Sequence, residues 1–279
     1  MDNDIELLDG WLNHLIQTAQ ENENVGVVGA KLIYPDCSNS INNKGKSYKL
    51  QHTSVKFIQS GKYILPYNRD DGRVYRYNEH IIEEVPAVNG SLMLIRRDVF
   101  DEVGGFDEEY IYGYEAVDLS LRLYKKGYVN YYNSNAAAYH NNRATVDNRI
   151  EGLVNTQKAL NNQHFAKKWQ RWLKKEVLND KIRCNRFFTE KPLKFTFITL
   201  EKGKYAVTGE YFIAQGLAEE LENRGYEVNF ISKSNDEDKF NIDCDVDVII
   251  SLVNSYNIDK IKVKNNLVIK IAWILNWPE

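Results

Sequence analysis

The spacing of apolar residues predicts alternating helices and strands in the first part of the chain. Apolar side chains recur every three to four residues over Glu6–Ala19, which predicts an amphipathic helix. Valines and other apolar residues dominate Val25–Tyr34, which predicts a buried strand, and weak alternation over 52–78 predicts one or two edge strands. Val85–Ile95 is expected to be a second buried strand. The glycine inside it, Gly90, indicates a bulge or a close backbone approach.

The pattern continues with two helices and a long strand. A short helix is predicted over Asp98–Val103 and a longer one over Tyr114–Lys126, and each is followed by a glycine suited to end it. Tyr128–Tyr139 then returns to strand character. A polar segment over Cys37–Lys49 is expected to be a surface loop.

The second part of the chain predicts a separate α/β unit. A long charged helix over Arg149–Leu178 is followed by an expected linker, Asn179–Lys191, which Pro192 closes. A strand, an amphipathic helix and three more strands follow: Phe195–Leu200, Gly209–Arg224, Tyr226–Ser232, Val246–Leu252 and Leu267–Ile274. A β-α-β opening favours parallel strands with a right-handed connection. We therefore expect three regions, 1–147, 148–192 and 193–279, in an α/β protein.

Composition narrows the class of protein. The chain has 279 residues and a net charge of −3, so it is not a strongly basic nucleic-acid binder. No run approaches 18 apolar residues, which predicts no spanning helix. Its three cysteines, Cys37, Cys184 and Cys244, lie far apart, which favours a reducing cytoplasm over a disulfide scaffold or a cysteine zinc site.

Two positions could hold a metal ion. Asp2 and Asp4 can both face one divalent cation, and such a cation also binds diphosphates; the alternative is a polar cap before the predicted Glu6 helix. His140 follows a strand. It is either an ordinary surface or core histidine, or a functional one that acts as a third metal ligand or contacts a diphosphate.

A third position could supply a proton acceptor. Glu115 and Asp118 lie three residues apart at a helix start. Acids there favour the helix dipole, and a carboxylate there could also take a proton from an attacking hydroxyl.

The order of these motifs resembles the family 2 glycosyltransferases of the GT-A fold, above all the bacterial members that build surface polysaccharides. The resemblance covers residues 1 to about 147, and residues 85–128 carry its specific part. It implies transfer of a sugar from a nucleotide-sugar donor to an acceptor hydroxyl of a glycan or lipid-linked glycan. It further implies Mg²⁺ or Mn²⁺, inversion at the anomeric carbon, and no nucleic acid as partner.

The resemblance also implies roles for particular residues. Glu115 and Asp118 match the outer acids of the family's E-D-x-D-L motif and would be catalytic, and Gln51 and His52 match a frequent QH pair. Residues 89–91 would line the sugar and acceptor pocket, and His140 and Thr145 match the trailing H…T. The implied metal ligands are Asp2, Asp4 and His140. The implied donor-binding residues are Asp2, Asp4, Asn89, Gly90 and His140. The implied acceptor-binding residues are Gly105, Phe106 and Asp107.

Two departures from the family pattern qualify these expectations. Ala116 stands where the family commonly has an aspartate that is taken as the base. The metal motif stands at residues 2–4, whereas the family places about a hundred nucleotide-binding residues before it. The expected architecture is therefore a partial, Rossmann-like GT-A domain followed by a helical linker. Residues 193–279 resemble the partial Rossmann-like N-terminal half of a GT-B glycosyltransferase.

Three other hypotheses stay open. The chain could be a non-catalytic carbohydrate-binding or assembly module, or a degraded gene product without function. The basic run Lys167–Lys175, with Trp169 and Trp172 inside it, is typical of an interfacial helix or of a solvated helix with inward tryptophans. As an interfacial helix, this basic run would place a cytoplasmic protein at the inner face of the membrane.

Overall fold

The computed structural model divides the chain into two compact units. One unit contains Met1–Ile58 and Leu65–Gln170, and the other contains Gln59–Ile64 and Arg171–Glu279. The structure describes residues 1–35, 49–74, 79–111, 113–141, 151–203, 206–232, 240–242, 245–263 and 268–274, leaving out the side chains of 151–154. Mixed α/β structure with parallel strands is present in both units, as expected.

The described elements up to residue 183 follow in chain order. The strands are β1 (Ile5–Leu7), β2 (Val25–Ile33), β3 (Leu50–His52), β4 (Val55–Ser60), β5 (Tyr63–Asn68), β6 (Ile82–Val85), β7 (Met93–Ile95) and β8 (Val129–His140). The helices are α1 (Trp11–Glu21), α2 (Arg97–Glu102), α3 (Glu115–Lys125) and α4 (Glu151–Arg183).

Two long parallel strands, β2 and β8, form the centre of the first unit. The short strands β3 and β7 pair antiparallel with β2, and β1 and β6 pair antiparallel with β8. All nine residues of β2 are buried because both faces of the sheet are covered. Val28 packs in one cluster with Leu15 of α1, and Val27 packs in another with Leu119 of α3.

The predicted helix over Glu6–Ala19 is wrong at its beginning. Ile5–Leu7 is a strand that pairs with Ala138–His140, and the helix starts only at Trp11, after Gly10 with φ 76°. The polar-cap alternative for Asp2 and Asp4 therefore fails, because no helix follows them directly. Three residues are too few for a strand periodicity to be distinguished from the helical periodicity that follows.

The predicted single strand over Val85–Ile95 is two strands. β6 ends at Val85 and pairs with β8, whereas β7 begins at Met93 and pairs with β2. In the segment between these two strands, the backbone at Gly90 makes the close approach that a glycine there indicated. A Cβ on Gly90 would lie 2.9 Å from the Cβ of Ala116, so this backbone is packed directly against α3.

The long helix extends beyond its predicted end. α4 continues to Arg183, so the first residues of the expected linker are helical. The chain after α4 folds back onto Asp180, whose carboxylate accepts hydrogen bonds from the backbone N–H groups of Phe187, Phe188 and Thr189. The loop from Cys37 onwards, except Lys49, as well as Thr145, Arg149 and Leu267 lie outside the described residues.

The second unit contains the predicted β-α-β arrangement. Its elements are β9 (Lys194–Thr199), α5 (Gly209–Asn223), β10 (Glu227–Ser232), β11 (Asn241–Ile242), β12 (Val248–Ser251), β13 (Lys262–Val263) and β14 (Ile269–Ala272). The main sheet has the order β10-β9-β12-β14 and is parallel throughout, as the alternation of strand and helix predicts. Phe197 and Ala214 belong to the cluster between β9 and α5.

Within the described ranges, no helix is both long enough and apolar enough to span a bilayer.

Gly29 provides a test of the central packing. A Cβ there would lie 2.6 Å from Val88, so Gly29→Ala should destabilise the protein by about 1–3 kcal/mol through overpacking. Gly216→Ala on α5 is the control, because its added methyl meets nothing within 4 Å and should stabilise by about 0.5–1 kcal/mol. Thermal unfolding followed by circular dichroism measures both. Equal melting temperatures for the two variants would contradict the packing.

Candidate functional site

Asp2, Asp4 and His140 form a cluster whose ligand atoms lie within 4.8 Å of one another. His140 Nε2 is 3.2 Å from Asp4 Oδ1 and 3.9 Å from Asp2 Oδ2. The pairing of β1 with β8 sets Asp4 beside the end of β8, and the Asp2 N–H donates to the Ser91 carbonyl at 2.9 Å. The backbone therefore fixes all three residues.

Gln51 determines how His140 presents its ring. Gln51 Oε1 lies 2.6 Å from His140 Nδ1, and an amide oxygen can only accept, so Nδ1 carries the proton. In a neutral ring the Nε2 lone pair then faces the two carboxylates, which is the form that can bind a cation. Two carboxylate oxygens, one imidazole and a hydrogen-bonded outer partner form a set that fits a divalent metal. The side chains of Asp2 and Asp4 are 52% and 22% exposed, so a cation could keep exchangeable ligands.

The turn at residues 89–91 joins this cluster to α3. His52 Nε2 accepts the Asn89 N–H at 3.2 Å, and Asn89 Oδ1 accepts the Ser91 N–H at 2.9 Å. The carbonyl of Ser91 in turn holds Asp2. Gly90 touches Ala116 on the other side, so one turn contacts both the cluster of Asp2, Asp4 and His140 and the start of α3.

Burial keeps His52 neutral. Its ring is almost completely buried, and this desolvation lowers its pKa from 6.5 to about 3, against the raising effect of its hydrogen bond with Asn68. A neutral ring can donate from Nδ1 to Asn68 and accept at Nε2 from Asn89 at the same time. His52 is therefore a fixed support of the turn.

Glu115 is the first residue of α3 and is half buried. Its Oε2 is buried and has no hydrogen-bond partner among the described residues. The next side chain, the methyl group of Ala116, faces the turn at Gly90. Glu115 is thus a partly exposed carboxylate of α3 with one oxygen that has no hydrogen-bond partner among the described residues.

Asp118 is placed differently from what the motif implied. Its side chain is completely buried, and it accepts from Arg122 Nε at 2.8 Å and from Trp169 Nε1 and Lys168 Nζ at 2.7 Å. These three donors enclose the carboxylate and join α3 to α4. The catalytic role of Asp118 stays a prediction.

The predicted acceptor residues lie on the loop between α2 and α3, here called the acceptor loop (Val103–Tyr110). Arg122 donates to the carbonyls of Val103 and Gly105, and Phe106 is 42% exposed beside Phe100. Asp107 does not point freely to solvent. Burial raises its pKa, but hydrogen bonds from Lys168 and His164 outweigh this and hold the pKa well below its usual range.

The sequence reasoning missed the contribution of α4. Asn161 contacts the backbone at Ile111 and Gly113, and Asn162 accepts from the Tyr114 hydroxyl at 2.7 Å. The signal was present as polar residues at helical spacing, which also describes a solvated face. Trp169 is 3% exposed and contacts Asp118, so it packs inward as the non-membrane alternative expected.

Comparison with known proteins connects about half of the chain to glycosyltransferases. No protein-family model matches it. The O-antigen biosynthesis protein RfbC of Myxococcus xanthus is 31% identical over 131 residues, 46% of this chain and 9% of that protein. The N-acetylglucosaminyl-diphospho-decaprenol L-rhamnosyltransferase of Mycobacterium tuberculosis is 29% identical over 143 residues, 49% of this chain and 44% of that protein.

A third relative, the uncharacterized protein y4gI of Sinorhizobium fredii, is 29% identical over 151 residues, 52% of this chain and 15% of that protein. The chain thus spans less than half the length of each of these relatives. The similarity is distant homology to glycosyltransferases of cell-wall and O-antigen synthesis.

The neutral His52 predicts a pH dependence. Between pH 6.5 and about 3 the unfolded state binds this proton and the folded state does not, so stability should fall as pH falls. The contribution is at most about 1.4 kcal/mol per pH unit. Urea unfolding at pH 7, 6, 5 and 4 measures it. In His52→Gln, which cannot titrate, the decline should be shallower, and identical profiles for both proteins would refute the assignment.

Proposed function

We propose that this chain supplies the metal-binding and acceptor-binding parts of a glycosyltransferase. The enzyme transfers a sugar from a nucleotide-sugar to a hydroxyl of a cell-surface glycan or its lipid-linked precursor. The observation that carries the proposal is the cluster of Asp2, Asp4 and His140, connected by the turn at 89–91 to the start of α3. Distant homology to a rhamnosyltransferase supports it. We propose this sugar transfer for the whole protein to which these parts belong.

Asp2, Asp4 and His140 would hold Mg²⁺ or Mn²⁺, and Gln51 would orient the imidazole. When bound, such a cation would neutralise negative charge on the leaving diphosphate. Asn89 and Gly90 belong to the turn beside this cluster, which suits them to contact the transferred sugar.

Glu115 is the proposed base. It takes the proton of the acceptor hydroxyl while that oxygen forms a bond to the anomeric carbon of the donor. The bond from this carbon to the diphosphate oxygen breaks at the same time, and the nucleoside diphosphate leaves with the electron pair. A single displacement of this kind inverts the anomeric centre. Glu115 is favoured over the enclosed Asp118 because its Oε2 has no hydrogen-bond partner in the described part of the chain.

The relatives suggest the class of acceptor. The Mycobacterium tuberculosis protein is named for rhamnosyl transfer to N-acetylglucosaminyl-diphospho-decaprenol. We propose the same chemical class here, a glycan on a lipid diphosphate, with Gly105, Phe106 and Asp107 forming the acceptor side. A lipid-linked acceptor would place the protein at the inner face of the cytoplasmic membrane.

A second candidate function is a non-catalytic carbohydrate-binding or assembly module. The alanine at position 116 favours it, since a methyl group replaces the carboxylate usual in the family. This module would bind glycans without turning over a nucleotide-sugar, so assays of transfer separate the two functions.

Metal binding is the first test. Isothermal calorimetry with Mn²⁺, alone and with UDP or dTDP, should show binding that Asp4→Asn or His140→Ala weakens by about 10–100-fold or more. Asp9→Asn is the matched control, because this exposed acid lies outside the cluster. Equal Mn²⁺ affinity in all four proteins would refute the metal site.

Replacing the proposed base is the second test. Glu115→Gln keeps the shape of the side chain but cannot accept the proton, so sugar transfer should slow by about 10²–10⁴-fold. Mn²⁺ affinity should stay at the wild-type value, and Glu23→Gln, at an exposed acid between α1 and β2, is the control. Transfer of radiolabelled sugar from UDP- and dTDP-sugars to glycan acceptors measures the rate. Wild-type transfer by Glu115→Gln would remove Glu115 from the mechanism.

A further inference from the structure

One face of α4 is directed at the acceptor loop and the start of α3. The residues on this face recur at spacings of three and four, as side chains on one side of a helix do. They hydrogen-bond or stack with the segment between α2 and α3 and with the first turn of α3: Asn161, Asn162, His164, Phe165, Lys168 and Trp169. All of them belong to the first compact unit.

Lys168 is the central contact. Its ammonium group lies 2.7 Å from Asp107 Oδ2 and 2.7 Å from Asp118 Oδ1, so one cation joins the acceptor loop to α3. His164 adds a second connection to the loop, because its ring lies between Asp107 and Glu109 at 3.1 and 3.0 Å. The loop is thus attached to α4 by charged hydrogen bonds, which are stronger than neutral ones.

Asp118 links α4 to the acceptor loop by a second route. Its Oδ1 accepts from Trp169, and its Oδ2 accepts from Arg122, whose guanidinium also donates to the carbonyls of Val103 and Gly105. A continuous path of hydrogen bonds therefore runs from α4 through α3 to the beginning of the acceptor loop. The same turn of α3 carries Glu115.

Packing holds this loop at its ends, where Val103 lies against the core and Tyr110 is buried. Between them the loop is more open: a Cβ on Gly104, where φ is +82°, would meet no atom within 4 Å, and Phe106 is 42% exposed. Apolar side chains can match or exceed the stability of a buried ionic network. What the charged network supplies is one defined arrangement of the loop.

We propose that α4 positions the acceptor loop for the transfer reaction, with Lys168 and Trp169 as the positioning residues. This inference rests on the proposed function, because it concerns where the acceptor hydroxyl meets Glu115. It assigns part of the predicted helix over Arg149–Leu178 to the construction of the acceptor site.

The test compares three substitutions on α4. Lys168→Met removes the ammonium group, Trp169→Phe removes the indole N–H and keeps an aromatic ring, and Lys168→Arg retains the charge. Lys167→Met is the matched control, since Lys167 is the exposed neighbour of Lys168. Each protein is examined by hydrogen exchange, Mn²⁺ calorimetry and steady-state transfer.

Hydrogen exchange of residues 103–110 should quicken about tenfold or more in Lys168→Met and Trp169→Phe, while α1 keeps its protection. The acceptor KM should rise about tenfold in the same variants, with donor KM and Mn²⁺ affinity unchanged. Lys168→Arg should restore most of the loss. A purely structural role would instead raise exchange in α1 as well and lower the melting temperature in proportion.

The outcomes separate this inference from the proposed function. Wild-type loop exchange in both Lys168→Met and Trp169→Phe overturns the positioning role, even in an active enzyme. An unchanged acceptor KM in an active enzyme with faster loop exchange also overturns it. Absence of transfer by the wild-type protein with every donor overturns the proposed function itself, whereas the exchange experiment still decides whether α4 holds the loop.

Discussion

The parallel pairing of β2 with β8 is the interaction on which the rest of the first unit depends. Every other strand of that sheet pairs with one of these two, and the helices α1 and α3 pack on their opposite faces. β8 continues past its pairing with β6 and reaches β1 at its other end. This length brings His140 beside Asp4, so the same strand that organises the core also completes the candidate metal site.

Sequence patterns predicted the long elements well, because many residues contribute to each signal. β2, β8 and α3 were found with nearly their observed limits. The three-residue strand β1 was absorbed into the helix that follows it, since its apolar residues also fit a helical period. β6 and β7 were joined because their separation depends on pairing with two different neighbours, which a local pattern does not contain.

The candidate site was predictable in part. The cluster of Asp2, Asp4 and His140 was expected from motif order, and the structure brings these residues together. The buried state of Asp118 was not foreseeable, because two of its partners lie about fifty residues later on α4. Long-range contacts of this kind follow from tertiary packing, and a helix face rich in lysine and histidine gives no sign of what it will contact.

The position of β1 has a consequence for how the cluster could be dismantled. β1 is three residues long and, in the described sheet, its strand partner is β8. Two of the three candidate ligands stand just before it, on backbone that is otherwise held by the Ser91 carbonyl and the Asn141 N–H. Local opening of this short strand pair would separate the carboxylates from His140 while the central strands stay folded. A bound cation would oppose this opening, so metal occupancy and the pairing of β1 with β8 would be thermodynamically linked.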